Sequence, residues 1–309
     1  MPNQWRVVDL TEFEGQLSTK RGVILVEAPD SEPVEVSVAD IAVVMVGVKV
    51  AFDAAVVHRL SSAGVPVLFC DWRGVPEGAA YSWSSNGRVG ARQRAQTGLT
   101  VPRRKNAWGR IVSAKIKGQA QVLQDLGADG CGELTALAAQ VRSGDPGNLE
   151  AQAARLYWTR LMDKGQHRDP GSRAGPGWNG CLDYGYAILR GHGVRAVLAA
   201  GMLPALGIFH RGRSNGFALV DDLMEPFRPA VDDVVFRLSS DADPSDREVK
   251  RALVSAAGRA FGSDGLTVPS AFLALAQQFG QYCEGEVERL AVPHWRGPSD
   301  DMSMDAASG

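Results

Sequence analysis

A chain of 309 residues, 45% hydrophobic and 22% charged, is long enough for two domains with separate cores, and this balance excludes a disordered or fibrous protein. Apolar runs such as "IAVVMVGV" (residues 41–48) fall well short of the roughly 20 residues of a membrane helix. The N-terminus carries early acids and no apolar signal segment, so a cytoplasmic protein without membrane association is expected. The net charge of −2 hides a segregation of signs. No acid lies between Glu77 and Asp125, a window that contains Arg103, Arg104 and Lys105. A second acid-free span, Tyr184 to Val220, holds Arg190, Arg195, His210, Arg211 and Arg213. Separated signs point to a positive face for a polyanion, most simply nucleic acid, with solvated helix faces as the plainer explanation.

In chain order, residues 1 to about 80 read as short β-branched strands: "WRVVDL", "GQLSTK", "GVILVEA", "VEVSV", "IAVVMVG" and "PVLFCDW". One helix, "FDAAVVHRLSSAG", interrupts them and ends on Gly64. No dinucleotide or phosphate-loop glycine pattern follows any strand. A polar, basic stretch then predicts a boundary, giving a β-rich domain over 1–85, a basic linker over 86–102 and a helical domain over 103–295. Apolar residues three or four apart predict helices in "AWGRIVSAKIKGQAQVLQDLG", "CGELTALAAQVRSG", "NLEAQAARLYWTRLM", "NGCLDYGYAILRG" and "SDREVKRALVSAAGRAFG". Residues 164–177 read as a mobile basic loop, and 296–309 as a disordered tail. Cys70, Cys131, Cys181 and Cys283 are too dispersed for a zinc ribbon and read as half-buried core thiols. The fold class expected is α+β, a small β-rich N-terminal domain followed by a larger all-helical one.

The stretch "GIFHRGRSNGFALVDDLMEPFRP" (residues 207–229) sets a histidine, His210, before two acids at i, i+3 spacing, Asp222 and Glu225. Two readings stand. The pair is a capping box, with Asp222 as N-cap and Pro226 tolerated in the first turn. Alternatively, the pair and His210 converge on a metal ion. Glu150 opens the helix "NLEAQAARLYW" behind Asn148, a plausible N-cap, yet shares the apolar face of Ala154, Tyr157, Trp158 and Leu161. A carboxylate pointing inward must be paired, protonated or metal-bound. One histidine with two or three carboxylates is a hard donor set that suits Mg²⁺ or Mn²⁺ better than zinc.

These residues resemble a known family. The segment from Gly207 to Pro229, the helix opening "NLEAQAARLYW" and "GWNGCLDYGYAILRG" together resemble the CRISPR-associated integrases of the Cas1 type, over nearly the whole chain. The resemblance implies that Glu150, His210 and Glu225 are the catalytic metal ligands. It implies accessory roles behind them for Asp222 and Asn179, and a phosphate-facing role for Arg213. Glu rather than Asp at 225 resembles the type II branch, and Asp183 stands where the family pattern has Asn. The activity implied is metal-dependent attack by a DNA 3′-hydroxyl on a phosphodiester of a CRISPR repeat, inserting a short DNA fragment. The partners implied are DNA, a second copy of the chain and a small ferredoxin-like second adaptation protein. Arg211, Arg103, Arg104 and Lys105 are further candidates for DNA contact by their clustering. A metal-dependent endonuclease and a non-catalytic DNA-binding scaffold are the competing functions.

Overall fold

The computed structural model describes residues 6–29, 31–72, 76–83, 86–169, 175–261 and 265–298. The N-terminal part holds β1 (Arg6–Leu10), β2 (Gly15–Lys20), β3 (Val23–Glu27), β4 (Val34–Ser37), β5 (Ile41–Val46), β6 (Val50–Phe52), α1 (Ala54–Ser62), β7 (Val67–Cys70) and β8 (Pro76–Ala80). They form two four-stranded sheets, ordered β4-β3-β2-β6 and β1-β5-β7-β8. The β2–β3 hairpin turns at Arg21 and Gly22, both at positive φ, the twist that a two-residue connection requires. Asp53 caps α1 by accepting a hydrogen bond from the Val56 amide at 3.1 Å.

The helical part holds α2 (Val89–Thr97), α3 (Val101–Asp125), α4 (Cys131–Gln140), α5 (Leu149–Leu161), α6 (Trp178–Ala199) and α7 (Ala218–Met224). A 3-10 turn, Glu225–Phe227, leads into α8 (Arg228–Val235), followed by α9 (Arg247–Ser255), β9 (Ala260–Phe261), β10 (Leu266–Thr267) and α10 (Val268–Glu284). This agrees with the α+β class expected, with one addition: β9 and β10 pair as an antiparallel ribbon inside the part expected to be all-helical.

Strand β5 joins the two parts. Its Ile41, Val44 and Val46 pack into the core of the β part, while Val43 belongs to the helical core. Gly191 of α6 makes this possible, because a Cβ there would stand 2.8 Å from Val43 Cγ1. Any side chain at 191 would lift α6 off the sheet.

Residues 86–102, read as a linker, contain α2 instead. Polar spacing hid this helix, since its buried residues are Arg92 and Gln96. Arg92 is neutralised by Glu284 of α10, and its guanidinium donates to the Ala200 carbonyl at 2.7 Å. Gln96 donates to the carbonyls of Leu203 and Leu206. These partners lie more than 100 positions away, beyond any local pattern. The loop expected at 164–177 is partly outside the described residues, and so is most of the expected tail. Among the described residues no helix is long and apolar enough to cross a membrane.

Candidate functional site

The segment before α7 is pinned by one carboxylate. Asp222 is fully buried within α7 and accepts three backbone amides, Ile208 at 2.5 Å, Phe209 at 2.9 Å and His210 at 3.2 Å. The same carboxylate lies 2.6 Å from His210 Nδ1. The capping-box reading is therefore corrected. Asp222 sits inside a helix, not before one, and satisfies the amides of an incoming loop that would otherwise be stranded against the core. Gly207 permits the approach, since a Cβ there would lie 2.4 Å from the His210 carbonyl and 2.9 Å from Asp222 Oδ2. With Nδ1–H donated to Asp222, the neutral imidazole keeps its lone pair on Nε2, the usual arrangement of a metal-binding histidine. The hydrogen bond to Asp222 raises the His210 pKa above its ordinary value. The charges of Asp222, Glu225 and Glu150 add to this, against partial burial.

Glu150 and Glu225 meet at one ammonium group. Lys115 of α3 places Nζ 2.7 Å from Glu150 Oε1 and 2.6 Å from Glu225 Oε2. All three side chains are largely withdrawn from solvent, Glu225 most of all. Burial opposes ionisation of Glu225, but Arg228, with Nε at 2.9 Å, and Lys115 more than offset it and hold the carboxyl at about 2. The Lys115 contact is close but poorly aligned, so Glu225 Oε2 is a buried oxygen with no hydrogen bond. Burial works against charge on Lys115 as well, yet Glu225 and Glu150 raise its pKa.

Asn148 stands at the N-cap position of α5 as expected, but its side chain makes no capping bond. It takes a positive φ, and Asp145 caps the helix by accepting the amides of Leu149 at 2.9 Å and Glu150 at 3.0 Å. Asp145 thereby fixes the start of α5 and the position of Glu150. Lys115 and Asp145 were not singled out from the sequence. The signal for Lys115 was its helical spacing from Trp108, Ile111 and Val122, an apolar face on which a lysine requires a buried acid.

The other expected site residues divide. Arg211 and Arg213 are exposed on the loop that follows His210, and Lys105 is exposed near the start of α3. Arg104 lines a cavity of about 100 Å³ with Leu99, Leu206 and Gly207. Arg103 is committed inside the protein, donating to the carbonyls of Tyr282 and Val287 and lying over the Tyr282 ring. Asn179 orders the 167–169 segment, accepting from the Asp169 amide and Arg168 and donating to the His167 carbonyl. It makes none of these bonds to His210, Glu150 or Glu225. Asp183 pairs with Arg168.

Among the described residues no group of three or more His, Cys, Asp or Glu side chains is gathered as a metal cage. The donors nonetheless fit a hard divalent cation. Two carboxylates already face one positive charge, one buried oxygen lacks a hydrogen bond, and the histidine is fixed through its other nitrogen. The Lys115 ammonium is the cation that the two carboxylates share.

Residues 8–252 match the family described as "CRISPR associated protein Cas1". A CRISPR-associated endonuclease Cas1 of Neisseria meningitidis serogroup C (strain 8013) is 36% identical over 236 residues, covering 76% of each chain. Among solved structures, a casposase bound to integration product superposes with a TM-score of 0.73 at 18% identity, over 94% of this chain and 93% of the other. A Cas6-RT-Cas1–Cas2 complex gives a TM-score of 0.70 at 20% identity, over 94% of this chain and 36% of the other. At these identities the two structures speak to the fold, whereas the family match and the Neisseria relative speak to descent. The chain belongs to the Cas1 family of CRISPR-associated proteins.

Proposed function

We propose that this protein is a CRISPR adaptation integrase, which joins the 3′-hydroxyl of a short DNA fragment to a phosphodiester of a CRISPR repeat. The observation that carries the reading is the approach of Glu150 and Glu225 to one cation, near enough to act electrostatically on a histidine locked by Asp222. Glu150, His210 and Glu225 would hold Mg²⁺ or Mn²⁺. When bound, that ion supplies acidification of the attacking hydroxyl and neutralisation of charge on the phosphoryl oxygens.

The chain's own residues do the rest. Asp222 keeps the Nδ1 proton, so the imidazole cannot turn. Lys115 and Arg228 hold Glu225 as an anion at every pH at which DNA is handled. Arg211 and Arg213, exposed beside His210, are placed to bind the DNA backbone, a contact that positions without reading sequence. One ester is exchanged for another: a new P–O bond forms to the incoming 3′-oxygen, and the displaced strand leaves as a 3′-alkoxide that takes up a proton. No covalent protein intermediate is needed. The likeness to a Cas1–Cas2 complex supports a small second adaptation protein as partner, and a second copy of the chain is the other partner of this reading.

A metal-dependent endonuclease is the second reading, favoured by the word endonuclease in the name of the Neisseria relative. The test is strand transfer of a labelled fragment into a supercoiled plasmid bearing a repeat, with the second adaptation protein present and with Mn²⁺ or EDTA. Metal-dependent joining that His210→Ala abolishes is expected. Cutting without joining would favour the endonuclease, and neither would leave a DNA-binding scaffold.

A further inference from the structure

Phe209 stands out among the exposed apolar side chains. Single exposed aliphatic residues need no explanation, but a large aromatic ring that is both exposed and immobilised does. Phe209 is 52% exposed, while the residue before it, Ile208, is buried. Its ring lies flat on Trp108, centroids 4.3 Å apart and planes within 2°. Trp108 is itself only 2% exposed and belongs to the helical core on α3. A buried indole thus backs one face of the phenyl ring and leaves ring surface open.

The backbone is fixed as firmly as the ring. Asp222 holds the amides of Ile208, Phe209 and His210 in succession, so the platform is built before any ligand arrives. The Phe209 ring meets the His210 ring edge to face at 5.6 Å. Exposed Arg211 and Arg213 follow, and the cavity containing Arg104 adjoins Ile208 on the other side. A flat apolar face flanked by cations is the combination that binds a nucleotide, with the base on the ring and the phosphates on the arginines. A protein-binding core would instead be depleted of charge at its centre.

We propose that Phe209 is a base-stacking platform, holding the 3′-terminal nucleobase of the incoming strand beside the hydroxyl that reacts at His210. This rests on the function proposed above and adds a positioning residue to it. A base inside a duplex has both faces covered, so the platform selects an unpaired or frayed nucleotide at a 3′ end. Stacking reads the π face common to all bases, so the preference is for strandedness and not for sequence.

The test uses the full chain with DNA carrying 5-iodouridine at an unpaired 3′-terminal position, or at a paired internal position, with cross-links mapped by mass spectrometry. The expected result is a cross-link to Phe209 from the unpaired position alone. Phe209→Trp should keep it. Phe209→Leu should lose it and bind the 3′-overhang DNA on the order of tenfold more weakly, with blunt-duplex affinity and thermal melting unchanged. Cross-links that avoid Phe209 while wild type binds and joins DNA would overturn the proposal and leave the integrase reading standing. Equal overhang affinity in wild type and Phe209→Leu would do the same. A change of sedimentation in Phe209→Leu, with DNA affinity intact, would assign the ring to contact with a second copy and also overturn it. Absence of any DNA binding by wild type would bring down the integrase reading together with this one.

Discussion

Glu225 and Asp232 are both buried carboxylates, seven residues apart around the start of α8, and they are held in opposite ways. Glu225 faces two cations and is kept near 2 despite its burial. Asp232 takes hydrogen bonds from the hydroxyls of Tyr157, at 2.9 Å, and Tyr186; burial dominates and pushes it up to about 6. The desolvation cost is shared, and the partner decides the outcome. A phenol stabilises a carboxylate less than an ammonium or guanidinium does. Asp232 therefore reads as a latch between α5, α6 and α8, and Glu225 as an anion poised for a cation. Arg228 stands between them, bonded to Glu225 and lying 4.5 Å from the Tyr186 ring centroid.

The largest way to break this contrast is Lys115→Met. Two buried carboxylates would lose their common cation, at a cost of about 3–5 kcal/mol. Because Mn²⁺ would supply the missing charge, urea unfolding in EDTA and in Mn²⁺ should diverge far more for this variant than for wild type. Glu225→Gln comes next. Lys115 keeps Glu150, so the loss should be smaller, and metal should no longer stabilise the fold.

The pH dependence sharpens the contrast because its signs are opposite. Glu225 drops from an ordinary 4.5 to about 2, so its contribution is present above pH 4.5 and is lost as pH falls toward 2. Asp232 rises from 3.8 to about 6, so its protonated form favours folding below pH 3.8, and that advantage is lost as pH rises through 6. Asp232→Asn should flatten stability between about pH 4 and 6, and Glu225→Gln should flatten it below 4.5. Equilibrium unfolding across this range separates the two.

Asp222→Asn is read at the histidine and not in the contrast between the two carboxylates. Removing the charge beside Nδ1 should lower the His210 pKa, read by NMR titration of the imidazole. Imidazolium cannot bind a metal, so the acid limb of Mn²⁺ binding should move to lower pH. Affinity above it should fall about 10- to 100-fold because the ring is less well held.

How far the sequence carried this site depends on which contacts are local. His210, Glu150 and Glu225 could be singled out as candidates because they sit in long, ordered stretches that resemble a family. Asp222 was legible as an acid but not as the anchor of the loop, since i, i+3 spacing is the same in a capping box and inside a helix. Asn148 was legible as the N-cap position, but the side chain that accepts the first amides belongs to Asp145, three residues earlier. Helix α2 was missed because its buried face is arginine and glutamine, paired with groups supplied by α10 and the 200–206 segment. Arg103 looked like a DNA contact for the same reason: clustering cannot tell a solvated arginine from one bonded to distant carbonyls.

The most direct test of the central claim is anomalous diffraction from crystals of the protein soaked in Mn²⁺. The account predicts one peak in contact with Glu150, His210 and Glu225, with the Lys115 ammonium moved from between the carboxylates. A site without manganese, with Lys115 still bridging Glu150 and Glu225 at saturating metal, would contradict it.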